Sequence, residues 1–268
     1  MIEAHRRGDE RIATTLDLGL STVELSLTAD GIDMLDGSRL PWASVQQIAK
    51  KDNNCFAVEN GEAEPVHRFS TAFNRGYTLR ATAGAPTLLI SGFPMHRIKD
   101  ITPDEDTRRK IAAAGSLGGR VLDTTTGLGY TAIEASKSGA SVTTIELDPL
   151  VLEVGRYNPW SQALFDGRIR QMVGNSFDVV PTLRDGEFDT ILHDPPTFSL
   201  AGELYSEEFY HQAFRVLGHR GKLFHYIGDL ESRSGRVVSK GVVKRLQLAG
   251  FKRVARHPEA FALVAFKS

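Results

Sequence analysis

Apolar and polar positions alternate with a period of two through much of the first hundred residues. Val23, Leu25 and Leu27 form one such run, and residues 55–58 form another. Turn signals separate the runs: Asp30-Gly31, Asp36-Gly37 and Asn60-Gly61. Alternation between such turns marks short antiparallel strands, because successive side chains point to opposite faces of a strand. Pro41-Trp42-Ala43 opens a short helix that runs to Lys50. A further strand pair is predicted over 77–81 and 87–90. Residues 1–100 therefore read as a small β-rich domain with one helix.

From Gly119 the pattern changes. Short buried runs now alternate with stretches of helical period. Strands are predicted over 120–124, 141–146, 168–173, 188–193 and 222–227. The helices between and after them cover 130–138, 149–157, 177–183, 206–217 and 235–249. The chain finishes with two strands, 251–256 and 261–266, joined by a turn at His257-Pro258-Glu259. Strands alternating with helices imply a doubly wound, mostly parallel sheet. The last pair makes one strand antiparallel. Residues 101–268 thus read as an α/β domain with a seven-stranded, Rossmann-like sheet.

Composition narrows the classes. Hydrophobic residues make up 41% and charged residues 24%, which excludes a disordered chain. No apolar run approaches the ~18–20 residues of a membrane span. The opening MIEAHRRGDE lacks the apolar core of a secretory signal, and a cytoplasmic location is expected. The single cysteine, Cys55, excludes an intramolecular disulfide and reads as a small core residue. No metal site is expected. Lys and Arg number 32 against 33 Asp and Glu, so no overall basic charge marks a nucleic-acid binder. The basic clusters at 6–7, 108–110 and 252–253 read as solvated surface.

Four features converge on one chemistry. Val121 to Tyr130 read as a buried strand, a polar glycine loop and a helix start. Gly127 and Gly129 let the backbone turn tightly and approach a ligand. The spacing is neither a full G-x-G-x-x-G nor a phosphate loop. The next strand ends at Glu146, placed to hold the hydroxyls of an adenosine ribose. Asn175 follows the third strand, where its amide either meets an adenine edge or caps the next helix. His193-Asp194-Pro195-Pro196-Thr197-Phe198 follows the fourth strand. Its two prolines remove amide donors and leave carbonyls and the Asp194 carboxylate to face a cleft. Such a place suits an amine, with Phe198 beside it. Residues 95–110, rich in polar side chains, link the two domains and are expected to cross near the cleft; they either close over it or form a solvated linker with Thr102-Pro103-Asp104-Glu105 as a helix cap.

These residues resemble a class I S-adenosylmethionine-dependent methyltransferase. Asp123 to Gly129 is similar to that family's motif I, Glu146 to its motif II, and Asn175-Ser176 to motif III. Asp194-Pro195-Pro196 resembles motif IV in the form found among enzymes that methylate nitrogen. The stretch from about 95 to the end, with Leu200 to Tyr210, resembles a family of predicted archaeal methyltransferases. The resemblance implies S-adenosylmethionine as cofactor. It places Asp123, Thr124, Thr125, Gly127, Gly129, Glu146, Leu147, Asn175, Ser176 and Asp194 around that cofactor. It places Pro195, Pro196 and Phe198 against the acceptor. Asp194 and His193 are the candidate catalytic groups, to orient an amine or take its proton.

Spermidine synthases offer a second resemblance. They share the fold, put a small β-domain before it, and run from Asp-Pro to Leu-Phe/Tyr-Ser/Thr-x-x-Phe-Tyr, much like Asp194-Pro195 and Leu204 to Tyr210. Their glycine-rich motif I differs from Asp123-Thr124-Thr125-Thr126-Gly127, and their paired aspartates are here only Asp194, preceded by His193. These departures favour a methyl donor over aminopropyl transfer. A third reading is a nucleotide-binding module without turnover. The acceptor is left open among a small amine, RNA and protein, and the N-terminal domain either selects it or forms a homodimer.

Overall fold

A computed structural model describes residues 1–51 and 53–268. The chain forms two compact units. The first comprises 1–103 with 153–162, and the second comprises 104–152 with 163–268. The segment Glu153–Gln162, expected in the α/β domain, thus belongs with the β-rich one. Side-chain contacts tie it there. The Arg68 guanidinium pairs with Glu153 at 3.5 Å and lies over the Tyr157 ring, 5.1 Å from its centroid. The Trp160 indole donates to the Leu18 carbonyl at 3.1 Å.

In the first unit, α1 (Ile2–Arg7) precedes a four-stranded antiparallel sheet of β1 (Arg11–Thr14), β2 (Val23–Leu27), β3 (Gly31–Asp33) and β4 (Arg39–Pro41). Helix α2 (Trp42–Ala49) follows, then the hairpin β5 (Phe56–Glu59) and β6 (Glu62–Pro65). Asn60 and Gly61, with φ of 53° and 80°, supply the left-handed pair a two-residue hairpin requires. A second sheet pairs β7 (His67–Ser70), β8 (Arg75–Arg80), β9 (Thr87–Ile90) and β10 (Phe93–Pro94), each antiparallel to the next. Leu25, Leu27, Ile32, Leu40 and Val45 share a core with Ala4 of α1. That short helix escapes sequence reading because it buries only Ala4.

The second unit is the α/β layer. Helix α3 (Pro103–Ala114) leads into β11 (Arg120–Asp123), α4 (Tyr130–Lys137), β12 (Ser141–Glu146), α5 (Pro149–Arg156, which passes into the first unit at Glu153) and β13 (Arg170–Val173). Then come α6 (Ser176–Val179), β14 (Phe188–His193), α7 (Glu207–Val216), β15 (Leu217–Tyr226), α8 (Arg233–Leu248), β16 (Arg253–His257) and β17 (Ala262–Phe266). The sheet order is β13-β12-β11-β14-β15-β17-β16, parallel except for β17. Both faces are covered. Leu122, Ile145, Ile191, Leu223 and Leu263 face one way, onto Phe209, Val216 and Leu246. Val121, Val142, Leu192, Phe224 and Val264 face the other way, onto Ala132, Ile133 and Leu117. Neighbouring residues of one strand, such as Val121 and Leu122, so feed two cores, which explains the continuous apolar runs.

Two elements differ from expectation. Helix α6 stops at Val179 and gives way to a tight turn over Val180–Thr182. Pro181 accounts for this, since its ring clashes with a continued helix. Strand β15 starts at Leu217, directly after α7, five residues before the predicted start. A register shift against β14 between Phe188 and Thr190 accommodates the extra length.

Candidate active site

The strand order reverses between β11 and β14, and open α/β sheets hold their ligands at the carboxyl ends of strands beside such a switch. Hydrogen bonds tie those ends together. The Thr124 amide and the Leu192 carbonyl bond at 3.0 Å. The Thr125 hydroxyl donates to the Asp194 carbonyl at 2.8 Å, so the glycine loop and the Asp194 loop form one rim.

Within the loop, Gly127 and Gly129 sit at positive φ, 53° and 78°. They differ in kind. A side chain at Gly129 would strike Leu164 at 2.8 Å, so this glycine permits close packing. A side chain at Gly127 would point into open space, where a ligand is able to approach the backbone. The Gly127 amide donates to Glu146 at 2.8 Å, and the other Glu146 oxygen accepts from the Asp148 amide at 3.2 Å. Asp123 is fully buried and accepts from the Thr125 amide at 3.2 Å and the Thr131 hydroxyl at 2.9 Å. Burial pushes both carboxyls up, to about 7 in each case, against the pull of these hydrogen bonds.

The Asp194 carboxylate does not stand free. Lys110, from α3, reaches it at 2.7 Å and also pairs with Asp106 at 3.0 Å. Lys110 and Asp106 are buried. The Lys110 ammonium also lies 4.3 Å from the centre of the Tyr226 ring. Burial works against its charge, but Asp194 and Asp106 outweigh burial and hold its pKa raised. Burial raises the Asp194 pKa, and Lys110 opposes that rise. Lys110 belongs both to the 108–110 cluster expected as solvated surface, which its burial corrects, and to the polar segment expected to cross near the cleft. The sequence signal was Asp106 and Lys110 at i, i+4 on a helix leading to motif I. That spacing does not separate a buried pair from an exposed one, and Asp104–Arg108 and Glu105–Arg109 share it at the surface.

His193 is also corrected. It is fully buried, and both ring nitrogens are taken. Nε2 donates to the Leu204 carbonyl at 2.9 Å, which leaves Nδ1 to accept from the Thr124 hydroxyl at 2.6 Å. Burial depresses its pKa to about 3. A ring so held is not a proton acceptor for substrate; it joins strand to loop and stacks on Phe209 at 4.8 Å. His225, paired with it across the sheet, is likewise buried and bonds the Tyr210 hydroxyl at 2.8 Å.

The remaining candidates divide. Asn175 caps α6, accepting from the Phe177 amide at 3.0 Å, and donates to Glu203 at 2.8 Å. Ser176 is buried and donates to the Thr124 carbonyl. Leu147 and Phe198 are exposed. Phe198 packs edge-on against Tyr205, whose hydroxyl donates to the Pro196 carbonyl at 3.0 Å. Two carbonyls expected to face the cleft, those of Asp194 and Pro196, are therefore used internally. The Pro195 carbonyl between them accepts no hydrogen bond from the described residues.

Among the described residues, Asp106 and Asp194 flank the Lys110 ammonium, and the Asp123, Glu146 and Asp148 carboxyls lie at the same end of the sheet. The open approach at Gly127 leaves room for a ligand against the loop backbone, beside the Glu146 carboxyl. Among the described residues no cluster of His, Cys, Asp and Glu is arranged to hold a metal ion, and no helix is long and apolar enough to cross a membrane. Cys55 is buried, and its thiol is pushed up to about 12.

Residues 109–229 match the family model of the methyltransferase small domain. The fold is shared with a spermidine synthase solved in complex with the transition state analogue AdoDATO. That match has a TM-score of 0.61, 19% identity, and coverage of 80% of this chain and 79% of the other. MNMC2 from Aquifex aeolicus matches with a TM-score of 0.53 and 19% identity, over 71% of this chain and 70% of its own. The fold is thereby defined: an α/β, Rossmann-like methyltransferase fold with a large, mostly parallel sheet. The chain is also 46% identical over 226 residues to "Uncharacterized protein MJ1233" of Methanocaldococcus jannaschii, covering 83% of this chain and 77% of that one. It belongs to the family of that archaeal protein.

Proposed function

We propose that the chain transfers a methyl group from S-adenosylmethionine to a nitrogen held at Asp194-Pro195-Pro196. The observation that carries this reading is the rim itself. Thr125 joins the glycine loop to the Asp194 loop, and Glu146 joins it to the end of β12. Gly127 and Glu146 hold the cofactor in this reading, with Asp123 fixing the glycine loop through Thr125 and Thr131, the exposed Leu147 beside the adenosine, and Asn175 and Ser176 fixing the third loop. Bound there, S-adenosylmethionine supplies a methyl carbon that a nitrogen lone pair attacks as the carbon–sulfur bond breaks.

The protein's part is alignment. The Pro195 carbonyl accepts an N–H of the acceptor and turns its lone pair inward. Asp194, held by Lys110, stabilises positive charge as it develops on nitrogen and takes up the proton that the methylated nitrogen sheds. Phe198 flanks the acceptor from the solvent side.

A second reading, aminopropyl transfer from decarboxylated S-adenosylmethionine, is favoured by the fold likeness to spermidine synthases over 80% of the chain. Calorimetric titration with S-adenosylmethionine and its decarboxylated form separates the two. Tighter binding of the carboxylated form is expected. Tighter binding of the decarboxylated form would overturn the methyl-transfer reading, as would binding of neither.

A further inference from the structure

Asp194 is the group a cationic acceptor would need, and it already has a cation. Lys110 reaches it from α3 at 2.7 Å, with Asp106 on the other side at 3.0 Å and the Tyr226 ring below at 4.3 Å. Two carboxylates and an aromatic face are what a protein offers to a substrate ammonium. Here an internal ammonium fills that place, and it is buried.

We propose that Lys110 is the specificity-determining residue of this site: its ammonium occupies the place on Asp194 that a cationic amine would take, and so restricts the acceptor to an uncharged nitrogen. The inference rests on the nitrogen-methylation reading and narrows its acceptor class.

The physical case has two parts. A protonated amine approaching Asp194 meets the Lys110 charge, and displacing Lys110 would strand that ammonium in a buried place. An ammonium acceptor must also lose a proton before it attacks, and a carboxylate, even one whose pKa burial raises as it does that of Asp194, is too weak a base for an aliphatic ammonium. An amide or an aromatic amino group arrives neutral. It sheds its proton only after methylation, when that proton is acidic enough for Asp194 to accept.

The test uses the full chain and 1,4-diaminobutane, a small dication, as the calorimetric probe. Wild type is expected to bind it without dependence on Asp194. Lys110→Met, with Asp106→Asn added to keep the charge count of the cluster, is expected to bind it about tenfold to a hundredfold more tightly. A further Asp194→Asn change is expected to cancel that gain. Wild-type binding that Asp194→Asn abolishes would overturn the proposal, because Lys110 would then not exclude the cation. This arm needs no Lys110 variant to fold. A folded Lys110→Met/Asp106→Asn protein with no gain would overturn it too. Titration of wild type with S-adenosylmethionine is run beside these arms. If the cofactor fails to bind, the methyl-transfer reading falls, and the diamine arms still report on Lys110.

Discussion

At the scale of the residue, the chemistry of the site is set by what each polar group is already bonded to. His193 is the clearest case. Its sequence position after a strand and before Asp194 suggests a base, yet Leu204 and Thr124 consume both ring nitrogens. His193→Gln is expected to lower stability by about 1–3 kcal/mol, the cost of leaving buried partners unsatisfied. The pH dependence of cofactor-driven methyl transfer is expected to be unchanged in that variant. Loss of a titrating limb of the profile would restore His193 as a base. Lys110 is the converse case, a surface-like lysine in sequence that the fold buries between two carboxylates.

At the scale of the element, helix starts are legible and helix ends less so. Ser206 accepts from the Phe209 amide at 3.1 Å and caps α7, and Ser232 accepts from the Gly235 amide at 3.0 Å and caps α8. Each serine precedes an apolar-periodic run, which places the starts close to where the sequence predicts them. Ser206→Ala and Ser232→Ala are each expected to cost about 1 kcal/mol in urea unfolding, nearly additively in the double variant. A cost near zero for either would mean that tertiary packing alone fixes that start. The other ends depend on distant partners. Strand β15 begins at Leu217 because β14 lies alongside to pair with it, and no local residue announces that.

At the scale of the whole molecule, the site concentrates negative charge that the unfolded chain would hydrate. Burial raises the Asp123 and Glu146 carboxyls to about 7, well above the usual carboxylate range near 4. The folded protein therefore holds more protons than the unfolded chain between about pH 4 and 7. The contribution of these two groups to stability is greatest below pH 4 and declines as pH rises through 7. Glu146→Gln is expected to flatten that decline in unfolding measured from pH 5 to 8. A cationic ligand lowers both pKa values, so S-adenosylmethionine binding is expected to release on the order of one proton at pH 7. The enthalpy of binding in buffers of different ionisation heat reports this directly. No dependence on buffer would show that the two carboxyls are already ionised in the free protein.

Local patterning determined the strand and helix alternation from β11 to β17 and the β-rich character of the first hundred residues. Period and turn chemistry are properties of adjacent residues, so they are written along the chain. The placement of the glycine loop, Glu146 and Asp194-Pro195-Pro196 at the carboxyl ends of strands was likewise legible, because each ends or directly follows a recognisable strand. What only the tertiary structure decided was pairing at a distance. It assigned Glu153–Gln162 to the first unit, joined Thr125 to the Asp194 carbonyl, and buried Lys110 between Asp106 and Asp194. Those contacts span many residues of chain, and whether a charge is solvated or enclosed is set by neighbours that the local sequence does not specify.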